Sequence, residues 1–288
     1  MRDLTPDSLT DAFSSYFGPR SDPRVRSVLE SLASHLHSFV RASGVTHAEW
    51  RTALEFLRRA GNITTDERNE FVLLSDVLGV SSIVDMINSR PSGTSSSVLG
   101  PFHITGAPPL ANGGDLKRDH VGDTVLVQGQ VLDDIGRPIA GAEIDIWQTA
   151  PNGLYASQDP DQETYSFHGV LTADADGRYR FTTVKPVTYE VPTDGPVGDL
   201  LRAMDRHAWR PSHLHFIVTA PGYRPLVTEV FAEDDPYLDQ DAVFGVRHDL
   251  VMRYINQPAG TFPAGLELSG TVEDAYVSVA FDFVLTRP

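Results

Sequence analysis

The sequence contains no cysteine. That one absence removes disulfides, thiolate zinc sites, iron–sulfur clusters and cysteine nucleophiles together, so any metal has to be held by His, Tyr, Asp or Glu. Long apolar runs are missing too: no stretch approaches the roughly 18 uncharged apolar residues of a membrane span, and the opening MRDLTPDSLTD carries no apolar leader. Neither export nor membrane insertion is signalled, and the expected location is cytoplasmic. Basic residues are scarce as well. Lys and Arg total 23 against 39 Asp and Glu, and the net charge of −16 at pH 7 argues against nucleic acid as a partner. What is present is the composition of an ordinary folded protein, 41% hydrophobic and 22% charged, with 288 residues available for one large or two small domains.

Hydrophobic periodicity divides the chain. Between Arg24 and Ala42, Val25, Val28, Leu29, Leu32, Leu36, Phe39 and Val40 recur at the spacing of one helical face. Thr46 with Glu49, and Thr64 with Glu67, carry capping-box spacing ahead of two further periodic runs (Trp50, Leu54, Leu57; then Phe71, Leu74, Leu78), so two more helices are expected. A short apolar run from Ile83 to Ile87 precedes Pro91-Ser-Gly-Thr94 and the serines 95 to 97, small polar residues that end the helical part. The expected organisation is a helical domain over residues 1–97 and a second domain over 98–288.

Beyond residue 100 the texture is that of short β-strands. The runs Val125–Val131, Glu143–Trp147, Arg178–Thr182, His213–Val218 and Tyr276–Phe281 alternate or are β-branched and aromatic, and Asp133-Asp-Ile-Gly136 and Asp174-Ala-Asp-Gly177 read as turns between them. Asp174–Gly177 lacks the spacing and closing Glu of a calcium loop and is a plain hairpin turn. The expected fold class is mostly β, a β-sandwich catalytic domain behind an N-terminal α-helical domain.

The sharpest chemical feature is His213-Leu214-His215 inside a predicted strand. Alternation with a period of two sends both imidazoles to the same side, where two neutral nitrogens converge on one ion; this is half of a metal site. The same pattern also arises on a plain sheet face, with one histidine solvated and the other hydrogen-bonded. A cupin-like set fails, because Thr219 and Ala220 stand where it needs Glu. Glu229 is the next carboxylate and would complete a facial triad for ferrous iron or a zinc site. Tyr155 and Tyr189 lie in Gly- and Pro-punctuated segments, where loops present functional groups, although a phenol is equally a core residue with a polar tip. On the residues alone these readings stay open.

The combination of motifs goes further. Leu99-Gly-Pro-Phe102, Gly129-Gln-Val131, Gly141-Ala142, Asp145-Ile-Trp147, Asn152-Gly-Leu-Tyr155, Pro186-Val-Thr-Tyr189 and Arg210-Pro-Ser-His-Leu-His215 follow one another in an order that resembles the intradiol ring-cleaving dioxygenases. The resemblance covers nearly the whole chain, and the helical front resembles the N-terminal part of their catechol and hydroxyquinol branch. It implies that Tyr155, Tyr189, His213 and His215 hold one non-haem Fe(III) per subunit, with O2 as co-substrate. Phenolate is a hard, strongly donating anion, which explains why two of them would keep iron ferric. Tyr189 would leave the metal as a base when substrate binds, and Arg210 would stabilise negative charge on the substrate ring. Glu229 falls where catechol-cleaving relatives usually carry a neutral amide, and is expected behind the ligands rather than among them.

Two stretches, Asn69–Gly79 and Asp241–Val246, resemble the branch acting on hydroxyquinol, 1,2,4-trihydroxybenzene. The implied reaction opens that ring between its adjacent hydroxylated carbons to maleylacetate (3-hydroxy-cis,cis-muconate), with catechol 1,2-cleavage to cis,cis-muconate as the alternative. A third ring hydroxyl wants an acceptor, and Asp76 would supply it, with Leu73, Val98, Leu99, Gly100, Pro101, Phe102, Val191, Pro192 and Val243 around the ring. The runs Gly129–Ala142 and Thr172–Phe181 also resemble transthyretin-like β-modules that catalyse nothing; the Tyr, Tyr, His-x-His set discriminates, since a spacer has no use for it. The resemblance further implies a homodimer through the N-terminal helices, with room for a phospholipid or fatty acyl chain between them.

Overall fold

The apolar stripe over residues 24–42 folds as expected, into one long helix. The computed structural model describes residues 3–118, 122–266 and 275–288. It opens with α1 (Leu9–Ser15), α2 (Pro23–Ser43) and α3 (His47–Ile63). Asp22 caps α2 by accepting the Val25 N–H at 2.9 Å, Pro23 takes the first position, where no N–H is needed, and Gly44 closes the helix at φ +60°. Thr46 and Glu49 form the expected capping box, at 2.8 and 3.3 Å. Thr64 and Glu67 do not. The Thr64 hydroxyl donates back to the Ala60 carbonyl at 2.8 Å, and α4 (Glu70–Val77) starts instead on Asn69, whose Oδ1 accepts from the N–H groups of Phe71 and Val72. Asn69 is the better cap because it takes two of the free N–H groups. α5 (Val80–Asn88) follows after Gly79.

By packing, the chain divides into residues 1–58 and 59–288. In the first unit α2 buries none of its residues, and the seven apolar positions of its stripe are 39% to 59% exposed. The second unit takes in α4 and α5 together with the sheets. Its strands are β1 (Thr124–Asp133), β2 (Glu143–Trp147), β3 (His168–Thr172), β4 (Arg178–Val184) and β5 (Tyr189–Glu190); after α6 (Pro196–Ala203) come β6 (Trp209–Arg210), β7 (His213–Thr219), β8 (Leu226–Ala232), β9 (Val251–Met252), β10 (Ile255–Gln257), β11 (Tyr276–Ala280) and β12 (Phe283–Leu285). One sheet centres on β1, flanked by β4 on one side and by β11 and then β12 on the other, with β10 outside β11. The other runs β3-β2-β7-β8-β9, and β5 pairs with β6 alone.

Both five-stranded sheets feed one core, through Val125, Val127 and Phe181 from the first and Ile144, Ile146, Leu214 and Phe216 from the second. The proportions correct the expectation of a mostly β chain. Helix accounts for 29% and strand for 22%, because the strands are short and α4, α5 and α6 accompany the sheets. The β description fits the region from Thr124 onward. Among the described residues no helix is long and apolar enough to cross a membrane.

Candidate active site

Strand alternation supplies the first two donors. β7 sends Leu214, Phe216 and Val218 into the shared core, which turns His213 and His215 to the opposite side, where both are buried. Their Nε2 atoms face each other at 3.1 Å. His213 Nδ1 lies 2.6 Å from the Pro211 carbonyl oxygen, which only accepts, so the ring proton sits there and Nε2 presents a lone pair, which accepts from Arg210 Nη1 at 3.1 Å. Trp147 pairs with His215 across the β2–β7 ladder and stacks on its ring, 4.7 Å between centroids and 3° from parallel.

Two phenols reach the same point from outside β7. Tyr155 follows the turn after β2; Gln158 Oε1 accepts its N–H at 3.0 Å, and Phe102 stacks on its ring at 4.8 Å. Tyr189 opens β5, directly opposite Arg210 on β6. Tyr155 Oη lies 2.9 Å from His215 Nε2 and 3.4 Å from Tyr189 Oη, and both tyrosines are buried. Bonds of about 2.0–2.1 Å to a first-row cation set neighbouring donors roughly 2.9 Å apart at right angles and roughly 3.5 Å apart at 120°. The observed separations of 2.9, 3.1 and 3.4 Å are those of a ligand set. Burial pushes both phenols above their ordinary range, and burial with the charge of Arg210 lowers His213 to about 4. Burial likewise holds His215 well below its ordinary value. Neutral, these groups are linked by hydrogen bonds such as that between the Tyr155 hydroxyl and His215 Nε2, whereas a cation would convert them into two nitrogen and two hard oxyanion ligands. The residues therefore fit a metal.

Arg210 lies beside this set, buried, between two carboxylates. Its Nη1 and Nη2 donate to Glu229 Oε1 and Oε2 at 2.7 and 3.0 Å, and its Nε and Nη2 donate to Asp241 Oδ1 and Oδ2 at 3.0 and 3.1 Å. Burial acts to raise Glu229, but Arg210 and the two histidines outweigh it and bring the carboxyl down to about 2. Ser97 Oγ also donates to Glu229 Oε2 at 2.7 Å. Gly245 leaves room for the network: a Cβ there would come within 2.7 Å of Glu229 Oε2 and 2.8 Å of Arg210 Nη2. His213, His215 and Glu229 do lie close enough together to hold a metal, with Glu229 Oε1 3.4 Å from His213 Nε2 and 3.4 Å from Nδ1 of His215, but both Glu229 oxygens already accept from Arg210, which makes the carboxylate the poorer ligand.

Of the residues expected around the ring, Leu73, Asp76, Val98, Gly100, Phe102, Val191 and Val243 are buried, Pro101 and Pro192 are half-buried, and Leu99 is 40% exposed. Gly100 takes a left-handed conformation at φ +73°, and a Cβ there would stand 3.4 Å from His215 Cε1, so the Leu99–Phe102 segment passes against the His215 ring. Arg206 donates to the carbonyl oxygens of Val77 and Ala242, both at 2.8 Å, tying the end of α4 to the segment that carries Val243. Asp76, on α4, is lifted by burial to about 6, and its Oδ1 has no hydrogen-bond partner.

Sequence reading passed over Ser97 and Asp241 as partners in the arginine network and Trp147 as the plate behind His215. The β7–β8 register holds the missing signal, since it sets Glu229 directly across from His215. A second group, His103, Asp145 and His168, was also missed. Each imidazole donates through Nε2 to one oxygen of Asp145, at 2.9 and 2.7 Å, and despite burial these bonds draw the carboxyl below its ordinary range. Such lengths are those of formed hydrogen bonds.

Comparison with known proteins agrees with this geometry. A family profile described as Dioxygenase matches residues 99–287, and one described as Catechol dioxygenase N terminus matches residues 22–95. The chain is 45% identical to a hydroxyquinol 1,2-dioxygenase of a Rhizobium species, over 92% of this chain and 90% of that protein. It is 43% identical to a 6-chlorohydroxyquinol 1,2-dioxygenase of Cupriavidus pinatubonensis, over 91% and 96%. A crystal structure of hydroxyquinol 1,2-dioxygenase from Pseudomonas putida superposes with a TM-score of 0.86 at 44% identity, over 98% of this chain and 99% of that one. Matched almost end to end in sequence and in fold, the chain belongs to the intradiol ring-cleaving dioxygenases, a family that uses non-haem iron.

Proposed function

We propose that this protein opens the ring of hydroxyquinol between its adjacent hydroxylated carbons, consuming O2 and giving maleylacetate. The convergence of Tyr155, Tyr189, His213 and His215 at 2.9 to 3.4 Å carries the reading. These four residues hold one Fe(III) per subunit. When bound, ferric iron withdraws electron density from a chelated diol and so makes the ring reactive toward O2.

The rest is done by the side chains. Tyr189 sits on a two-residue strand, so its phenolate is the donor able to yield its place and take up the proton of an incoming ring hydroxyl at Oη. Arg210, charged at any relevant pH, faces Tyr189 across the β5–β6 ladder and offsets negative charge on the ring. Phe102, Val98, Val191 and Val243 exclude water. Asp76 distinguishes hydroxyquinol from catechol, because its unpartnered Oδ1 accepts the third hydroxyl.

The pair of packed sheets, read as a β-sandwich over residues 98–288, is the catalytic scaffold, and residues 1–97 lend α4 to the pocket. The apolar face of α2 pairs two copies into a homodimer and leaves space for an acyl chain; the protein works in the cytoplasm. The test is oxygen uptake by iron-loaded protein with hydroxyquinol, catechol and protocatechuate, with products identified. Hydroxyquinol should be turned over fastest, to the ring-opened diacid. A visible phenolate-to-iron absorption band with faster catechol turnover would leave the iron reading standing and remove the substrate assignment.

A further inference from the structure

In the β7–β8 hairpin Glu229 stands directly opposite His215, and Trp147 stands opposite it on the other side. Coordination through His215 Nε2 forces the ring proton onto Nδ1, which makes that nitrogen a buried donor. Nδ1 has no hydrogen-bond partner, and Glu229 Oε1 lies 3.4 Å away. Glu229 Oε1 is also 3.4 Å from His213 Nε2, but the proton of His213 is on Nδ1 and goes to the Pro211 carbonyl at 2.6 Å, so of the two imidazoles only His215 turns a protonated nitrogen toward the carboxylate.

We infer that Glu229 is a positioning residue which accepts the Nδ1 proton of His215 and, by its negative charge, makes that imidazole the stronger donor to the metal. The inference rests on the iron reading above. The site calls for a carboxylate rather than an amide, because both oxygens of Glu229 receive guanidinium N–H groups, at 2.7 and 3.0 Å; an amide would set its own NH2 against one of them. Ser97 Oγ at 2.7 Å holds Oε2, so Oε1 is left facing the histidines. A carboxylate behind a ligating histidine fixes its tautomer and raises its basicity, and removing such a partner typically costs about 10- to 100-fold in metal affinity.

The experiment compares the iron-loaded full-length protein with its E229Q, E229D and D241N variants, reading the phenolate-to-iron absorption maximum, the Fe(III)/Fe(II) potential and iron retention against a chelator. A weaker donor leaves the ferric ion poorer in electrons. E229Q should therefore move the band to longer wavelength, raise the potential and weaken iron retention about 10- to 100-fold. E229D keeps the charge but withdraws it by one methylene, and should shift the band the same way by less. D241N loosens Arg210 to a similar degree without touching His215. If it moves the band and potential as far as E229Q does, the effect belongs to the freed guanidinium and the inference fails. An unmoved band in both Glu229 variants overturns it too, and E229D alone decides if E229Q does not fold. A parent protein that takes up iron without colour fails earlier, at the iron reading itself.

Discussion

Asp76 is the residue at which an effect on stability and the proposed selectivity for the third hydroxyl can be measured together. Burial raises its carboxyl from 3.8 to about 6. The folded protein keeps a proton there that the unfolded chain releases near pH 4, so this stabilisation is complete below pH 4 and is lost as the pH rises through 6. The full loss is roughly 3 kcal/mol at most. D76N, which never ionises, should match the parent in chemical denaturation at pH 4 and exceed it at pH 7.5 by up to that amount. For the reaction the expected effect lies in selectivity. A hydrogen bond from the third hydroxyl to a charged acceptor contributes about 1.5–3 kcal/mol, so D76A should lower the ratio of kcat/KM for hydroxyquinol to that for catechol by roughly 10- to 100-fold. An unchanged ratio would show that Asp76 does not read that hydroxyl.

At the scale of elements, the crossing between β11 and β12 is as sensitive as any part of the fold. β1 pairs with β11 up to Gln128 and with β12 from Val131, and the chain between them bends over Gly129. A Cβ at Gly129 would come 1.6 Å from the Phe281 carbonyl oxygen, which also accepts the Tyr179 hydroxyl. G129A is expected to cost about 3 kcal/mol or more, measured by urea denaturation, because the obstacle is backbone and cannot swing away. This crossing left no trace in the sequence beyond one glycine in a strand pattern. Local patterns were legible where they were local: the α2 stripe, the Thr46–Glu49 cap and the His-x-His alternation all follow from neighbours within one turn or one pleat. Asn69 won over Thr64 as the cap of α4 because Thr64 had a carbonyl of α3 within reach, which only the folded helix shows. The meeting of Tyr155 and Tyr189 with β7 spans long connections, and no periodicity marks it; the motif order brought it to light.

For the whole molecule, the exposed face of α2 sets the expectation. A contiguous stripe from Val25 to Val40 of this kind is usually an interface. L32E with L36E should turn a dimer into a monomer in sedimentation velocity at micromolar protein while far-UV helicity is kept. If the parent protein itself sediments as a monomer, that assignment is lost. Iron should matter beyond catalysis, since a ligand bound at about a thousand times its dissociation constant stabilises the folded state by roughly 4 kcal/mol. Stripping it with a chelator should lower Tm by several degrees, and adding ferric iron should restore it.

On this reading the four donors belong to a loop, a two-residue strand and a long strand that have little else in common at that point. The ion is then a rivet as well as a reagent. A cell short of iron would hold a protein that is silent and also shorter-lived, its turnover tied to the supply of the element it needs to work.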